Sequence, residues 1–235
     1  MKRVLAKITK ALRTPNNPAT HSENFYQQNT RIVNDEYRKR LQSYQVPAVL
    51  QHFGNVEGKA FADIGCGDMP LAYCWPQIGR PSIYYATDIN QKAVNAGLKN
   101  LQRRGIDCNN IVPVTGPDFD FSAIPDGSVD AAFSNSLFSH LTLNSITLCL
   151  KRLHPKMKAG TTYMSSAIIL PAGEDWCADF EWKVKYGTHS HPCRDPYHYV
   201  FDELRQVANS TTDFECVASH DYGHPFQRLI EFRVR

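Results

Sequence analysis

The segment FADIGCGDMPLAYCWP, residues 61–76, decides how this chain folds. A short apolar run carries the acid Asp63 and passes into a turn with two glycines, Gly65 and Gly67. Glycine adopts backbone angles that are closed to other residues, and it lets the main chain approach a ligand closely. The segment therefore predicts a buried strand that feeds a ligand-binding turn.

The residues after the turn predict a short helix over 70–78. Pro70 suits the first turn of a helix, where its missing N–H costs nothing, and Asp68 is the predicted N-cap. Met69 stands where a third glycine is often found in such turns.

Strands and helices alternate outward from this segment. Because such alternation is typical of parallel sheets covered on both faces, we predict an α/β, Rossmann-like, doubly wound sheet of seven mostly parallel strands. The last two strands are too close for a crossover helix, so they are predicted to be antiparallel. The predicted strands are 59–64, 82–88, 111–115, 128–134, 160–170, 213–221 and 227–235, and the predicted helices are two pieces within 31–53 divided at Pro47, then 70–78, 91–105 with Asn90 as N-cap, 143–157 and 200–210.

The chain divides into an N-terminal extension, residues 1–29, and one domain, residues 30–235, which contains an irregular segment at 171–199. Residues 1–13 carry five basic residues and no acid around an apolar stripe, which predicts an amphipathic helix. Such a helix is able to touch an anionic membrane surface, and the alternative is ordinary docking or solvation. Two aromatics upstream of the first strand, Tyr26 and Tyr37, are candidates for a lid.

The distribution of charge and of cysteines indicates which partners and which cellular location to expect. Outside residues 1–13 the chain has 21 basic and 23 acidic residues, which argues against a nucleic-acid partner. The seven cysteines are scattered singly, so we expect reduced thiols and a cytoplasmic protein, with the inner membrane surface as a second location. No stretch reaches the roughly 20 apolar residues that a membrane span needs.

The ligand of the glycine turn is predicted to be a nucleoside derivative. Asp88 ends the next predicted strand, 21 residues after Gly67, where an acid is the expected partner of a ribose diol. The dinucleotide fingerprint G-x-G-x-x-G is broken because its sixth position is Pro70. The pattern therefore argues against NAD, although an NAD-type oxidoreductase or epimerase stays open as an alternative.

At these residues the sequence resembles the class I S-adenosyl-L-methionine (SAM)-dependent methyltransferases. ADIGCGD (62–68) is similar to their first motif, ATDIN (86–90) to their second, and residues 116–141 to their third and fourth. The resemblance covers roughly residues 56–170 and implies SAM as cofactor and S-adenosyl-L-homocysteine (SAH) as product. It implies a cofactor site formed by Asp63, Gly65, Cys66, Gly67, Asp88, Ile89, Asp118, Phe119, Ser134 and Asn135.

Within that resemblance the acid and glycines of the first motif cradle the methionine and ribose portions. Asp88 is expected on the ribose hydroxyls, with Ile89 beside the adenine. Asp118 stands where the family places an adenine-contacting acid, with Phe119 next to it. The main chain after the fourth strand is expected to line the cofactor.

The predicted reaction is in-line methyl transfer to a hydroxyl of a small-molecule or glycan-type acceptor. A hydroxyl nucleophile usually needs a base, and the leading candidate is His140 in the loop that faces the methyl group in the resembling fold. The alternative for His140 is packing or capping of the next helix. A SAM-binding module without catalysis is a further alternative, because no base is certain from sequence.

Residues 171–199 are the predicted acceptor-binding insertion, and they contain the segment THSHPCRDPYHY, residues 188–199. Arg194 and Asp195 suit hydrogen bonding to a polyhydroxylated or phenolic acceptor, and His224 is expected on the same rim. The spacing of the histidines and the cysteine matches no standard zinc site, so no metal is predicted. The residues weighed for zinc were His189, His191, Cys193 and His198.

Overall fold

A computed structural model of the chain describes residues 35–184 and 187–235. The N-terminal extension, residues 1–29, lies outside this part, and so do Tyr26 within it and the side chain of Tyr37. The predicted amphipathic helix and the predicted lid therefore stay predictions. No described helix combines the length and apolar character needed to cross a membrane.

The described residues form five α-helices, a seven-stranded sheet and a two-stranded hairpin. The helices are α1 (Asp35–Phe53), α2 (Trp75–Ile78), α3 (Gln91–Arg103), α4 (Leu143–Leu153) and α5 (Phe201–Thr211). The strands are β1 (Ala60–Ile64), β2 (Ile83–Asp88), β3 (Ile111–Thr115), β4 (Val129–Ser134), β5 (Met157–Ala167), β6 (Phe180–Trp182), β7 (Thr188–Ser190), β8 (Phe214–His220) and β9 (Arg228–Val234). Four 3-10 helices span Pro70–Cys74, Pro117–Phe119, Phe138–His140 and His154–Lys156.

The large sheet has the strand order β3-β2-β1-β4-β5-β9-β8. The first five of these are parallel, and β9 runs antiparallel to both β5 and β8. The predicted Rossmann-like architecture is therefore confirmed, including the antiparallel pair at the end of the chain. Because strand order reverses between β1 and β4, a crevice opens there beyond the carboxyl ends of the strands.

Two apolar clusters, one on each face of the sheet, form the core. Successive strand residues point to opposite faces, so Phe61 packs with α1 and α3 whereas Ala62 packs with α4 and α5. Burial on both faces explains why β1 is buried at all five positions.

Several predicted boundaries need correction. The two predicted helical pieces divided at Pro47 are one continuous helix, α1. Pro47 lies on its exposed side, whereas Tyr44 and Val49 are buried. Packing of this buried side stabilises the helix across the proline. Strand β5 begins at Met157, three residues before its predicted start, because the predicted helix ends at Leu153 and continues only as a 3-10 turn.

The irregular segment at 171–199 contains the antiparallel hairpin β6–β7. The predicted helix after the glycine turn is a 3-10 helix followed by the four-residue α2. Its N-cap is Met69 rather than Asp68, because Met69 takes left-handed angles and the helix begins one residue later than an Asp68 cap requires.

Candidate functional site

The carboxyl ends of β1, β2 and β4 bring the first predicted site residues together. The backbone N–H groups of Gly65 and Cys66 donate to the carbonyl of Thr87, at 2.8 and 2.9 Å. The N–H of Gly67 donates to Asp88 Oδ2 at 2.8 Å. Three hydrogen bonds thus hold the turn after β1 against the end of β2.

Asp88 connects this turn to the start of α3. Its Oδ1 accepts from the N–H of Asn90 at 2.8 Å, and Asn90 in turn caps α3 by accepting from Lys92 and Ala93. The predicted Asn90 cap is confirmed. A carboxylate accepts about four hydrogen bonds, so Asp88 keeps capacity for an external donor beside its backbone N–H bonds. The side chain is therefore both fixed and able to accept from a ligand hydroxyl.

Asp63 and Asp88 are the two acids of the crevice. The phenolic hydroxyl of Tyr84 donates a short hydrogen bond to Asp63 Oδ2. Burial raises the pKa of Asp63 to about 7, with a small further rise from Asp88 and an opposing effect of the Tyr84 bond. Burial also raises the pKa of Asp88, against the backbone N–H bonds that it accepts. Within the described part of the chain neither acid has an ion pair, so the crevice favours a cationic or hydroxyl-bearing ligand.

Met69 occupies the third-glycine position in a glycine-like conformation, with φ 59°. Its side chain is fully buried in the apolar cluster between the sheet and α3. A Cβ at Gly97 of α3 would lie 2.8 Å from Met69 Cε and 2.6 Å from the carbonyl oxygen of Asp68. The missing Cβ at Gly97 therefore makes room for the turn and for the methionine.

The predicted adenine-side residues follow β2 and β3. Ile89 is half-buried directly after Asp88. Asp118 is exposed and Phe119 half-buried, and both have positive φ values, 54° and 57°. The carbonyl of Asp118 accepts from Arg152 Nη1 of α4 at 2.6 Å. This contact holds the strained loop against α4, while Phe119 packs at the edge of the core.

Ser134 and Asn135 lie where β4 ends, but their side chains differ in surroundings. The Ser134 hydroxyl is buried and bonds to Tyr163 and Ser165 at 2.8 and 2.6 Å, so only its main chain is available to a ligand. The Asn135 side chain is half-buried, and its Oδ1 accepts from the Tyr222 hydroxyl at 3.4 Å.

The loop after β4 contacts the glycine turn and carries the predicted base. A Cβ at Gly65 would lie 2.9 Å from Leu137 Cδ1, so the two loops approach closely. His140 Nδ1 lies 2.7 Å from Asp195 Oδ1. The backbone N–H of Tyr197 donates to the carbonyl of Ser139 at 2.7 Å, which holds the insertion on this loop. A histidine oriented by a carboxylate is a typical general base.

A buried polar network, which sequence reasoning missed, lies beside Asn135. Gln227 Oε1 accepts from the hydroxyls of Ser166 and Tyr222 at 2.7 and 3.3 Å. Its Nε2 donates to Ser136 Oγ at 3.0 Å, and the Ser136 N–H donates to Ser166 Oγ at 2.6 Å. The network joins the ends of β4 and β5 to the loop before β9. Tyr222 and Gln227 are five residues apart, but the bonds that link Ser136, Ser166 and Gln227 span 30 to 91 residues, so no local sequence signal reveals the network.

Aromatic side chains cover this network. Tyr222 and His224 stack at 5.8 Å between ring centroids, and Tyr44 of α1 meets both edge-on at 5.6 and 5.0 Å. Phe226 lies edge-on to His224 at 4.6 Å, and Trp182 of β6 lies 6.1 Å from Phe226. The predicted position of His224 near the acceptor side thus coincides with an aromatic cluster from three parts of the chain.

Two histidines of the insertion, His191 and His198, are engaged within it. His191 Nδ1 and Arg194 Nη2 lie 2.8 and 2.7 Å from the Asp179 carboxylate. His198 is buried, and its Nδ1 is 3.0 Å from the Ser190 hydroxyl. These contacts stabilise the hairpin region, so Asp195 is the member of the predicted acceptor set that reaches His140.

Comparison with known proteins shows a methyltransferase domain and the fold that goes with it. Residues 62–164 match the family model described as a methyltransferase domain. No curated protein sequence is significantly similar to the chain. Among solved structures, a SAM-dependent methyltransferase from Aquifex aeolicus is 18% identical, with a TM-score of 0.60 over 83% of this chain and 92% of that one.

Two further structures match more of the chain. Magnesium protoporphyrin IX methyltransferase from Synechocystis, solved with SAM bound, is 15% identical with a TM-score of 0.64, covering 94% of this chain and 99% of that one. A 1,6-didemethyltoxoflavin-N1-methyltransferase from Burkholderia thailandensis is 17% identical with a TM-score of 0.62, covering 92% and 86%. The acceptors named for these proteins differ, so the fold alone leaves the acceptor open.

The matched residues run from β1 into β5, the strands whose ends build the site, and they favour SAM over NAD as the ligand. Residues 62–164 form a methyltransferase domain, and the chain has the fold of SAM-dependent methyltransferases.

Proposed function

We propose that this enzyme transfers the methyl group of SAM to a hydroxyl of a small-molecule or glycan-type acceptor, with His140 as general base. The observation that carries the proposal is the 2.7 Å contact between His140 Nδ1 and Asp195 Oδ1. It lies in the loop after β4, which also contacts the glycine turn through Leu137.

The cofactor site of the proposal is the crevice between β1, β2 and β4. Asp88 accepts from the ribose hydroxyls, and the main chain of Gly65, Cys66 and Gly67 lies along the methionine portion. Asp63 attracts the cationic amino group, which favours the carboxylate form of this buried acid. On the adenine side the remaining contacts come from Ile89, Asp118, Phe119 and the main chain of Ser134 and Asn135.

SAM supplies an electrophilic methyl group on a sulfonium. The protein aligns the acceptor oxygen with it and excludes water. The Nδ1–H of His140 donates to Asp195. The lone pair that takes up the proton of the substrate hydroxyl is therefore on Nε2 of His140. The acceptor O–H gives its proton to Nε2 as the new C–O bond forms and the C–S bond breaks. Imidazolium, stabilised by Asp195, and neutral SAH are left.

A hydroxyl acceptor accounts for the base better than an amine does, because an unprotonated amine already carries the attacking lone pair. In the aromatic cluster Tyr44 and Tyr222 are buried, whereas His224 and Phe226 are half-buried and supply ring surface for a phenolic or sugar ring. Half-buried Ser136, which the buried Gln227 amide holds in place, supplies a polar partner beside them. The surroundings therefore suit an amphipathic ring that carries hydroxyl groups.

The test is methyl transfer from methyl-labelled SAM to a panel of phenolic, sugar and amine acceptors, with mass spectrometry of the product. We expect an O-methyl product, and we expect His140→Ala to lower kcat by about 10²–10⁴-fold with unchanged SAH affinity. Asp195→Asn should lower kcat less. His189→Ala, an exposed position in the hairpin, is the control.

The pH profile separates a base from a packing residue. Loss of a base removes the rise of kcat with pH, whereas loss of packing lowers kcat at every pH. An N-methyl or C-methyl product, or an unchanged profile in His140→Ala, would overturn the proposal. No transfer to any acceptor together with tight SAH binding would favour the binding module without catalysis.

A further inference from the structure

Three potential metal ligands meet away from the crevice described above. Among the described residues, His52, His220 and Glu231 form a group whose ligand atoms all lie within 4.8 Å of one another. They come from the last turn of α1, the end of β8 and the middle of β9. His220 Nε2 is 3.0 Å from Glu231 Oε2, and the two imidazole centroids are 4.6 Å apart.

We propose that His52, His220 and Glu231 bind a divalent transition-metal ion of the zinc type, with water as the fourth ligand. Two imidazole nitrogens and one carboxylate oxygen form a common ligand set for Zn²⁺. Imidazole ligands disfavour Mg²⁺ and Ca²⁺, which prefer oxygen. Tetrahedral bonds of about 2.0–2.2 Å separate ligand atoms by about 3.4 Å, so small side-chain rotations close the group around an ion.

A neighbouring arginine orients the carboxylate of this group. Arg233 Nη2 donates to Glu231 Oε1 at 2.9 Å, which leaves Oε2 for the ion and favours a one-oxygen ligand.

The competing explanation is a simple ion pair between His220 and Glu231, with His52 packed against it. That explanation gives His52 no bonding role, and it gives transition metals no effect on stability. A metal site requires all three residues at once. The distinction makes His52 the decisive position.

A bound metal would fasten the end of α1 to the last two strands. Tyr44, eight residues earlier on the same helix, packs on Tyr222 and His224 in the loop that joins those strands. The metal would therefore also fix the aromatic cluster beside the crevice. Its role would be structural rather than a step in methyl transfer.

The experiment is calorimetric titration of the chelator-treated full chain with Zn²⁺, followed by thermal unfolding with and without the ion. We expect one ion per chain and a rise in Tm of about 5–10 °C at roughly 100-fold excess over Kd. Visible absorption of the Co²⁺-loaded protein should show four-coordinate geometry. None of these readouts depends on methyl transfer, so failure here leaves the proposed function standing.

Variants assign the ligands. His52→Ala lies on a helix, where alanine is well tolerated, and it should abolish the Zn²⁺-dependent rise in Tm while leaving the metal-free Tm nearly unchanged. Glu231→Gln should also abolish the Zn²⁺-dependent rise, and Arg233→Ala should weaken Zn²⁺ binding about 10–100-fold. His189→Ala is the control and should bind as the parent protein does. Absence of Zn²⁺ binding, or equal binding by His52→Ala, would overturn the proposal.

Discussion

Asp88 Oδ2 accepts a 2.8 Å hydrogen bond from the backbone N–H of Gly67, so one carboxylate ties the end of β2 to the turn after β1. Its other oxygen accepts from Asn90 at the start of α3. The residue that would hold the ribose is therefore also the residue that shapes the turn.

Asp88→Asn should weaken SAH binding by about 10–100-fold, the equivalent of one lost hydrogen bond to a charged group. Asparagine offers only one accepting oxygen, so its NH₂ faces a backbone N–H at one of the two sites. Calorimetric titration with SAH measures the change. Asp107→Asn, an exposed acid before β3, is the matched control, and an equal loss in both variants would argue against a ribose role for Asp88.

SAH affinity should rise with pH up to about neutrality. Burial raises the pKa of Asp63 to about 7, so below that pH the cofactor-free protein holds a proton there. A cationic amino group favours the carboxylate, so binding releases the proton and the affinity falls by up to about tenfold per pH unit below 7. Titrations between pH 5.5 and 8, in buffers of different ionisation enthalpy, measure both the affinity and the proton release.

Tyr84→Phe sharpens this test, because the Tyr84 hydroxyl opposes the rise in the pKa of Asp63. Without it the pKa of Asp63 should rise further, and the affinity profile should shift to higher pH. Asp63→Asn should flatten the profile. A profile that stays the same in Asp63→Asn would place the titrating group elsewhere.

Much of the sheet was predictable because its strands are apolar runs bounded by turn residues. Strand β3 matches its predicted bounds, and β1, β2 and β4 differ by one residue at one end. Glycines and acids at the ends of parallel strands had to meet at one edge, so the closeness of Gly67 and Asp88 followed from strand order alone. The insertion and the aromatic cluster that cover this edge could not be predicted, because they depend on contacts between distant parts of the chain.

Tyr84 illustrates a contact that the strand register could have supplied. Asp63 pairs with Ala86, and Tyr84 points to the same face two residues earlier on β2. The pairing of His140 with Asp195 spans 55 residues and passes through an irregular insertion, so the sequence suggested each residue separately but not the pair. The Asp68 cap failed for another reason, since the left-handed conformation of Met69 moved the helix start.

Gly97→Ala should destabilise the protein by about 1–3 kcal/mol despite the better helix propensity of alanine. The new Cβ would lie 2.6 Å from the carbonyl oxygen of Asp68, a backbone atom of the turn. Urea unfolding measures the change, with Asn95→Ala on the exposed face of α3 as control. Adding Met69→Ala should bring no recovery, because the main clash is with backbone. Recovery in the double variant would instead identify the Met69 side chain as the obstacle.

Gln227→Leu should separate the acceptor side of the site from the cofactor side. The substitution leaves the hydroxyls of Ser166 and Tyr222 without their shared acceptor, which costs about 1–3 kcal/mol of unfolding free energy. It also loosens Ser136, whose hydroxyl bonds to the Gln227 amide. Because the glycine turn and Asp88 are untouched, SAH affinity should stay within about twofold of the parent value, a difference of under 1 kcal/mol.

Turnover of a hydroxyl acceptor should fall in this variant chiefly through KM. Gln227→Glu is the companion variant. It keeps an oxygen that accepts from Ser166 and Tyr222 but replaces the NH₂ that donates to Ser136. Compared with Gln227→Leu, it should recover more of the unfolding free energy than of the affinity for the methyl acceptor. Parallel measurements of urea unfolding, SAH titration and acceptor KM distinguish these effects. If the network contacts only the methyl acceptor, SAH affinity stays intact. An equal loss of SAH affinity and of acceptor affinity would instead mean that the network supports the whole crevice.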